Sequence, residues 1–243
     1  MPDDGTTYET WADPRDVRPV AARIDLHCHS AFSKDSLGTL DAIAAAARGK
    51  GLDGVCLTDH DTVRHHGAIE DWNRTHGDGF RFWPGCEVST NTGHMLAIGI
   101  REAVPYGLPV EETIDEIIAA GGMAVPSHPL RRGSGVRMDG LDRHGTIIRA
   151  VEVWNAQEPE RRNQEVADWA RTNRVGGTGG SDAHQVHDTG NGYTLFPDNV
   201  DLLDDLLDQL AGGDTWGVGT KTARTTLVRQ AARNTLRRLT RRL

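Results

Sequence analysis

The segment Arg23-Ile-Asp-Leu-His-Cys-His-Ser-Ala-Phe-Ser-Lys-Asp-Ser-Leu37 decides how the chain is read. Ile24, Leu26 and Cys28 alternate with Asp25, His27 and His29. Alternate side chains of a strand share a face, so His27 and His29 project side by side, about 7 Å apart along the backbone. Two imidazoles at that spacing can grip one metal ion. Asp35 follows after a Ser/Lys turn, which can swing its carboxylate back over the same site. Taken alone, the stretch has a lesser alternative, a buried strand end with two incidental histidines.

Working outward, the same unit recurs: a short apolar run, a polar cluster, then a helical pattern. Asp53–Thr58 reads as a strand running into Asp59-His60-Asp61, Arg81–Ser89 as a strand carrying Glu87 and interrupted by Pro84-Gly85, and His94–Ile100 as a short strand. Met123–Pro126 leads into Ser127-His128-Pro129. Ala150–Trp154 ends at Glu152 and Asn155, and Val175–Gly180 runs into Ser181-Asp182-Ala183-His184. Between them, Thr39–Arg48, His66–Arg74, Val110–Ala120, Arg161–Thr172 and Val200–Leu210 have helical spacing; in Val110–Ala120 the apolar positions are Ile114, Ile117 and Ile118. Strands alternating with helices predict a parallel α/β architecture, open or closed into a barrel. In both, functional side chains collect at the carboxyl ends of the strands.

Nine candidate metal ligands emerge, nearly all at such ends: His27, His29, Asp35, His60, Glu87, His94, His128, Asp182 and His184. Nine are too many for one ion and suit two or three ions sharing a bridging carboxylate. Imidazole mixed with carboxylate fits Zn, Mn or Fe better than Ca or a thiolate site. Among the remaining histidines, His65 and His187 lie close enough to the clusters to be supporting or substrate contacts.

Composition bounds the rest. With 243 residues, 26% charged and 37% hydrophobic, the chain can bury a large core and has no disordered character. No apolar run is long enough to span a membrane, and the acidic leader, residues 1–22, resembles no targeting peptide. A cytoplasmic location is the expectation. The three cysteines, Cys28, Cys56 and Cys86, sit in apolar runs and read as buried free thiols rather than a disulfide framework. The net charge is −8, yet residues 219–243 hold eight basic residues and no acid, so the charge is strongly asymmetric. Val228, Ala232, Leu236, Leu239 and Leu243 give that tail an apolar stripe. It reads as a basic amphipathic helix packed on the body or in a homo-oligomer, with nucleic-acid contact as the alternative.

The ordered motifs Asp25-Leu26-His27-Cys28-His29-Ser30, Thr58-Asp59-His60-Asp61-Thr62, Gly85-Cys86-Glu87, Gly93-His94-Met95-Leu96, Ser127-His128-Pro129 and Gly180-Ser181-Asp182-Ala183-His184 resemble those of the PHP (polymerase and histidinol phosphatase) superfamily, over about Arg23 to Phe196. The resemblance implies a distorted (β/α)7 TIM-like barrel over residues 23–218, a single domain followed by the basic helix of 219–243. It implies a trinuclear site. One metal takes His27, His29, Glu87 and Asp182. A second takes Asp35, His60 and His184. A third takes Glu87, His94 and His128, so that Glu87 bridges. Asp25, Asp59 and Asp61 are expected to orient imidazoles.

The implied chemistry is hydrolysis of a phosphate ester by a metal-bridging hydroxide held through Glu87, Asp182 and His184. No Gly-x-Ser-x-Gly elbow or Walker loop offers another mechanism, and Gly176–Gly180 lacks a phosphate-binding lysine. The substrate is expected to be a small phosphate monoester, a nucleotide or the end of a short oligonucleotide. Arg131, Arg132, Glu152 and Asn155 are the candidate substrate contacts, the arginines flanking Gly133-Ser134-Gly135. Two alternatives stay open: hydrolysis of a carboxyl ester or amide at the same metals, and a non-catalytic binding module.

Overall fold

The computed structural model describes residues 20–137 and 148–228. Most of the acidic leader, the segment 138–147 and the basic tail beyond Val228 lie outside them. Residues 224–228 are helical, and the remainder of the expected terminal helix falls among the undescribed residues.

Strand β1 (Ala22–Cys28) lies inside a seven-stranded sheet. It pairs in parallel with β2 (Gly54–Leu57), and β2 in parallel with β3 (Arg81–Ser89). The crossovers are α1 (Leu40–Gly49) and α2 (His66–Thr75). Thr39 caps α1 by accepting the Ala42 N–H, and Ile43, Ala44 and Ala47 form its buried face. This half matches the expected alternation of strand and helix.

The expected all-parallel arrangement is corrected beyond β3. Strand β4 (His94–Ile98) runs antiparallel to β3, and β5 (Met123–Pro126) antiparallel to β4. Residues 90–93 alone join β3 to β4, too few for the dozen or more that a parallel crossover needs. Pro84-Gly85 does not interrupt β3, since the Pro84 carbonyl accepts the Gly99 N–H. After β5 comes a parallel pair, β6 (Ala150–Asn155) and β7 (Gly176–Gly180), linked by α4 (Glu160–Asn173). Two unexpected strands follow. β8 (Gly192–Phe196) pairs antiparallel with β1, and β9 (Trp216–Gly219) antiparallel with β8. The order is β5-β4-β3-β2-β1-β8-β9.

The sheet curls into a half-barrel, and β6 and β7 face it. The Asp182 N–H donates to the His27 carbonyl, and Ala183 bridges Cys28, which seats the end of β7 against the end of β1. Glycine makes this approach possible: a Cβ on Gly180 would collide with the Cβ of His27 and stand 2.9 Å from Glu152 Oε1. The Gly-rich run is therefore close backbone packing that delivers Asp182.

Apolar layers complete the frame. Ile24, Leu26, Phe196, Leu206 and Leu210 share one core with α5 (Leu203–Gly212). Helices α1 and α2 bury Ile43, Ile69 and Trp72 against Phe80 and Phe82. Helix α3 (Val110–Ala119) buries Ile114 and Ile117, whereas Ile118, expected on the same face, is 54% exposed. Adjacent helical positions diverge by 100°, and here the second isoleucine falls past the buried stripe. Cys28, Cys56 and Cys86 are free and buried. Among the described residues no helix is long and apolar enough to cross a membrane.

Candidate metal centre

Glu87 is the hub of the site. Its Oε1 lies 2.8 Å from His94 Nδ1 and 2.9 Å from His128 Nε2. Its Oε2 lies 3.2 Å from His60 Nδ1 and 3.3 Å from the Nε2 atoms of both His27 and His29. Asp182 Oδ1 stands 3.4 Å from His29 Nε2 and 3.6 Å from His27 Nε2. Asp35 does swing back over the site: its Oδ2 is 3.0 Å from His184 Nε2 and 3.4 Å from His60 Nε2. The two imidazoles of β1 meet with their Nε2 atoms 3.3 Å apart.

All nine candidate ligands therefore converge. Four groups of donor atoms lie within 4.8 Å of one another: His29, Asp35, His60 and His184; His27, His128 and Asp182; His27, His29 and Glu87; His60, Glu87 and His94. His29 borders two groups and His128 sits beside His27 and Asp182, a finer sharing than the threefold division expected from sequence.

Three residues at the rim adopt left-handed backbone, Asp61 with φ 51°, His128 with φ 31° and Asp182 with φ 51°. Non-glycine residues enter this region at a cost, so surrounding bonds must hold them there. Asp25 is one such brace. Its carboxylate accepts the N–H groups of His27, Ser181 and Gly190 and the Ser181 hydroxyl, tying β1 to the loop between β7 and β8. Asp61 likewise accepts from the N–H and hydroxyl of Ser89. Asp59 accepts from the N–H and hydroxyl of Ser30 and stands 3.2 Å from His65 Nδ1. The expectation that these three aspartates orient the ligand imidazoles is corrected: they fix backbone, and Asp59 faces a histidine outside the ligand set.

The orienting role belongs to Glu152. Its Oε1 faces His27 Nδ1 at 2.9 Å, and its Oε2 accepts the His128 N–H at 2.7 Å and the Asn155 amide at 3.0 Å. Glu152 and Asn155, both expected to meet substrate, are buried and bonded to protein groups. Arg131 reaches the site, with Nη1 2.7 Å from Asp182 Oδ2. Arg132 is exposed and joins none of these contacts. His65 is buried with Nε2 against the carbonyls of Leu57 and Gly85, while His187 is exposed beside Asp188. Sequence reasoning overlooked Gln157 and Glu158, which follow β6 directly. Their place just after a strand expected to end at the rim was the available signal.

The electrostatics suit cations. Burial disfavours charge on Glu87, Asp182, His27 and His29, yet opposite charges at contact distance prevail there, whereas burial and the neighbouring Arg131 push His128 down. Glu87 is held well below the usual carboxylate range by His27, His60, His94 and His128, and Asp182 by Arg131, His27, His29 and His184. Conversely, Asp182 and Glu87 lift His29 to about 10 despite its burial, and Glu152, Glu87 and Asp182 raise His27. Protons on buried imidazoles thus balance the carboxylates where divalent ions would otherwise do so. His29 and His128 each also present a buried Nδ1 with no hydrogen-bond partner. A donor set of imidazoles and carboxylates at these spacings fits Zn-, Mn- or Fe-type ions.

A family model described as PHP domain matches residues 25–167, more than half of the chain. The chain belongs to the PHP family. A second model, PHP-associated, matches residues 160–215. An uncharacterised protein of Methanocaldococcus jannaschii is 33% identical over 147 residues, which is 55% of this chain and 82% of that protein. Two solved structures share the fold. A two-domain Bacteroides vulgatus protein containing a predicted PHP-like metal-dependent phosphoesterase superposes with a TM-score of 0.69 at 19% identity, covering 88% of this chain and 71% of that one. PsfC of Pseudomonas syringae superposes with a TM-score of 0.65 at 21% identity, covering 90% and 98%. Membership of the PHP family is what the ordered motifs led one to expect.

Proposed function

We propose that this PHP-family chain is a metal-dependent phosphoesterase acting on a small phosphate monoester, a nucleotide or an oligonucleotide end, from within the cytoplasm. The observation that carries the reading is Glu87, whose two oxygens face five imidazoles at 2.8–3.3 Å. A carboxylate so placed suits bridging of two or three divalent ions. His27, His29, Glu87 and Asp182 would hold one, Asp35, His60 and His184 another, and Glu87, His94 and His128 a third. The curled sheet with β6 and β7 is then the wall of a distorted (β/α)7 barrel.

When bound, Zn, Mn or Fe ions would supply an activated water nucleophile and neutralise phosphate oxygens. The chain's own groups do the remainder. Glu152 fixes the His27 ring through Nδ1. Arg131 keeps positive charge beside Asp182. Arg132, exposed on the same loop, is assigned to the substrate's phosphate. The basic residues 219–243 are assigned to self-association of the chain, with oligonucleotide contact as the competing role.

Metal analysis of protein purified without chelator, followed by phosphate release from nucleotides, sugar phosphates, histidinol phosphate and short RNA, tests the reading. Two to three ions per chain and phosphate release are expected. Fewer than two ions with no activity after Mn or Zn addition would overturn it, as would cleavage of carboxyl esters without phosphate release. Deleting residues 229–243 separates the tail's roles: loss of activity on RNA alone favours recognition, and a smaller assembly state favours association.

A further inference from the structure

We propose that Glu158 is a positioning residue that acts through Arg131 to fix the Asp182 carboxylate. The proposal rests on the reading of Asp182 as a metal ligand. Arg131 has no idle edge: Nε donates to Glu158 Oε1 at 2.6 Å, Nη1 to Asp182 Oδ2 at 2.7 Å and Nη2 to Asn155 Oδ1 at 3.1 Å. Glu158 is itself tied down. It is buried, its other oxygen accepts from Arg162 Nη1 at 2.8 Å, and its N–H donates to the Asn155 carbonyl. The planar fork of the guanidinium is thereby held in one orientation.

Asp182 needs such a clamp. Its backbone lies at φ 51°, a conformation that other bonds must stabilise. The Asp182 N–H donates to the His27 carbonyl, and its own carbonyl accepts from the Gln157 side chain. Its Oδ2 is taken by Arg131 and approached by the Asn155 amide at 3.4 Å, which turns Oδ1 toward His27 and His29. Asn155 at the end of β6 and Gln157 and Glu158 in the turn after it thus converge, directly or through Arg131, on one aspartate just after β7. Without Glu158, the Nε of the half-buried Arg131 loses its acceptor and the fork is free to rotate. Asp182 Oδ2 is then released, and Oδ1 no longer has a fixed direction.

Through-space charge predicts a different result from positioning. Glu158→Gln removes the charge but leaves an oxygen able to accept from Arg131 Nε, whereas Glu158→Ala removes both. Arg131→Lys keeps the positive charge but replaces the rigid planar fork, whose Nε, Nη1 and Nη2 each point at a different partner, with a single compact ammonium. The full chain is stripped with chelator and titrated with Mn2+ alone by calorimetry, with thermal melting in chelator as a check on folding. Positioning predicts that Glu158→Ala and Arg131→Lys weaken one class of Mn2+ site by roughly 10–100-fold, as loss of an outer support does. Glu158→Gln should stay within about threefold of the parent. Equal weakening in Glu158→Ala and Glu158→Gln would overturn positioning in favour of charge, and unchanged binding in Glu158→Ala would overturn it outright. If Glu158→Ala does not fold, unchanged binding by Arg131→Lys serves as the overturning result. An Asp182→Asn variant with full Mn2+ stoichiometry and affinity would instead remove the ligand reading on which the proposal stands.

Discussion

His27 on β1 and Glu152 on β6 face each other, Nδ1 to Oε1 at 2.9 Å, with both side chains buried. That contact leaves His27 Nε2 as the nitrogen turned toward Glu87 and Asp182. A carboxylate behind an imidazole fixes its tautomer and raises its basicity. Glu152 also accepts the His128 N–H, so one carboxylate governs two neighbours.

Glu152→Ala is therefore expected to weaken metal binding by roughly 10–100-fold, with Glu152→Gln weakening it less because a hydrogen-bond acceptor remains. Calorimetric titration of stripped protein with Mn2+ or Zn2+ checks the order. Equal affinities for all three proteins would contradict it.

Glu87 offers a sharper test. In stripped protein it pairs with five buried or part-buried imidazoles, so Glu87→Gln leaves positive charge without its partner. Breaking a buried pair in this way costs about 3–5 kcal/mol. Melting of the variant in chelator should show that loss. Metal analysis should show the loss of more than one ion, because its two oxygens face five of the ligand imidazoles between them. A variant that retains both full stability and full metal content would remove Glu87 from the centre of the site.

Gly180→Ala probes the approach of β7 to β1. The added methyl would collide with the Cβ of His27 and crowd Glu152 Oε1. Overpacking of this kind costs about 1–3 kcal/mol, and here it also displaces a ligand. Urea unfolding should show the stability loss, and metal titration a weakened site. Gly67→Ala, at a position where nothing lies within 4 Å, is the matched control.

The sequence carried the ligands because their signal is local. Most sit at the end of an apolar run, and alternation alone placed His27 beside His29. Strands β8 and β9 carried no such signal. Trp216-Gly-Val-Gly219 has two glycines in four residues and gains its strand conformation from pairing with β8. The direction of β4 was readable, since the short link from Ser89 to His94 forbids a parallel crossover. The supporting shell was not. Whether Asp25 braces backbone or turns an imidazole depends on Ser181 and Gly190, more than 150 residues away in sequence. Glu152 and His27 are likewise 125 residues apart.

The stripped protein should respond to pH in a direction set by His29. Burial opposes its charge, but Asp182 and Glu87 outweigh burial and raise it to about 10, against about 6.5 for an unperturbed histidine. A group whose affinity for protons is higher folded than unfolded stabilises the fold fully below the unfolded value. That contribution is lost as pH rises through the folded value. Melting temperature in chelator should therefore fall as pH is raised from about 7 toward 10, in addition to any general alkaline trend. Adding Mn2+ or Zn2+ should abolish this component, because imidazole must shed its proton to bind a metal. The same exchange should release protons on loading, visible as a metal-binding enthalpy that changes with the ionisation enthalpy of the buffer. A His29→Asn variant should lose part of the pH-dependent component in chelator, His27 and His60 carrying the rest. A stripped parent protein as stable at pH 10 as at pH 7 would contradict the assignment of that proton to the carboxylate-lined cluster.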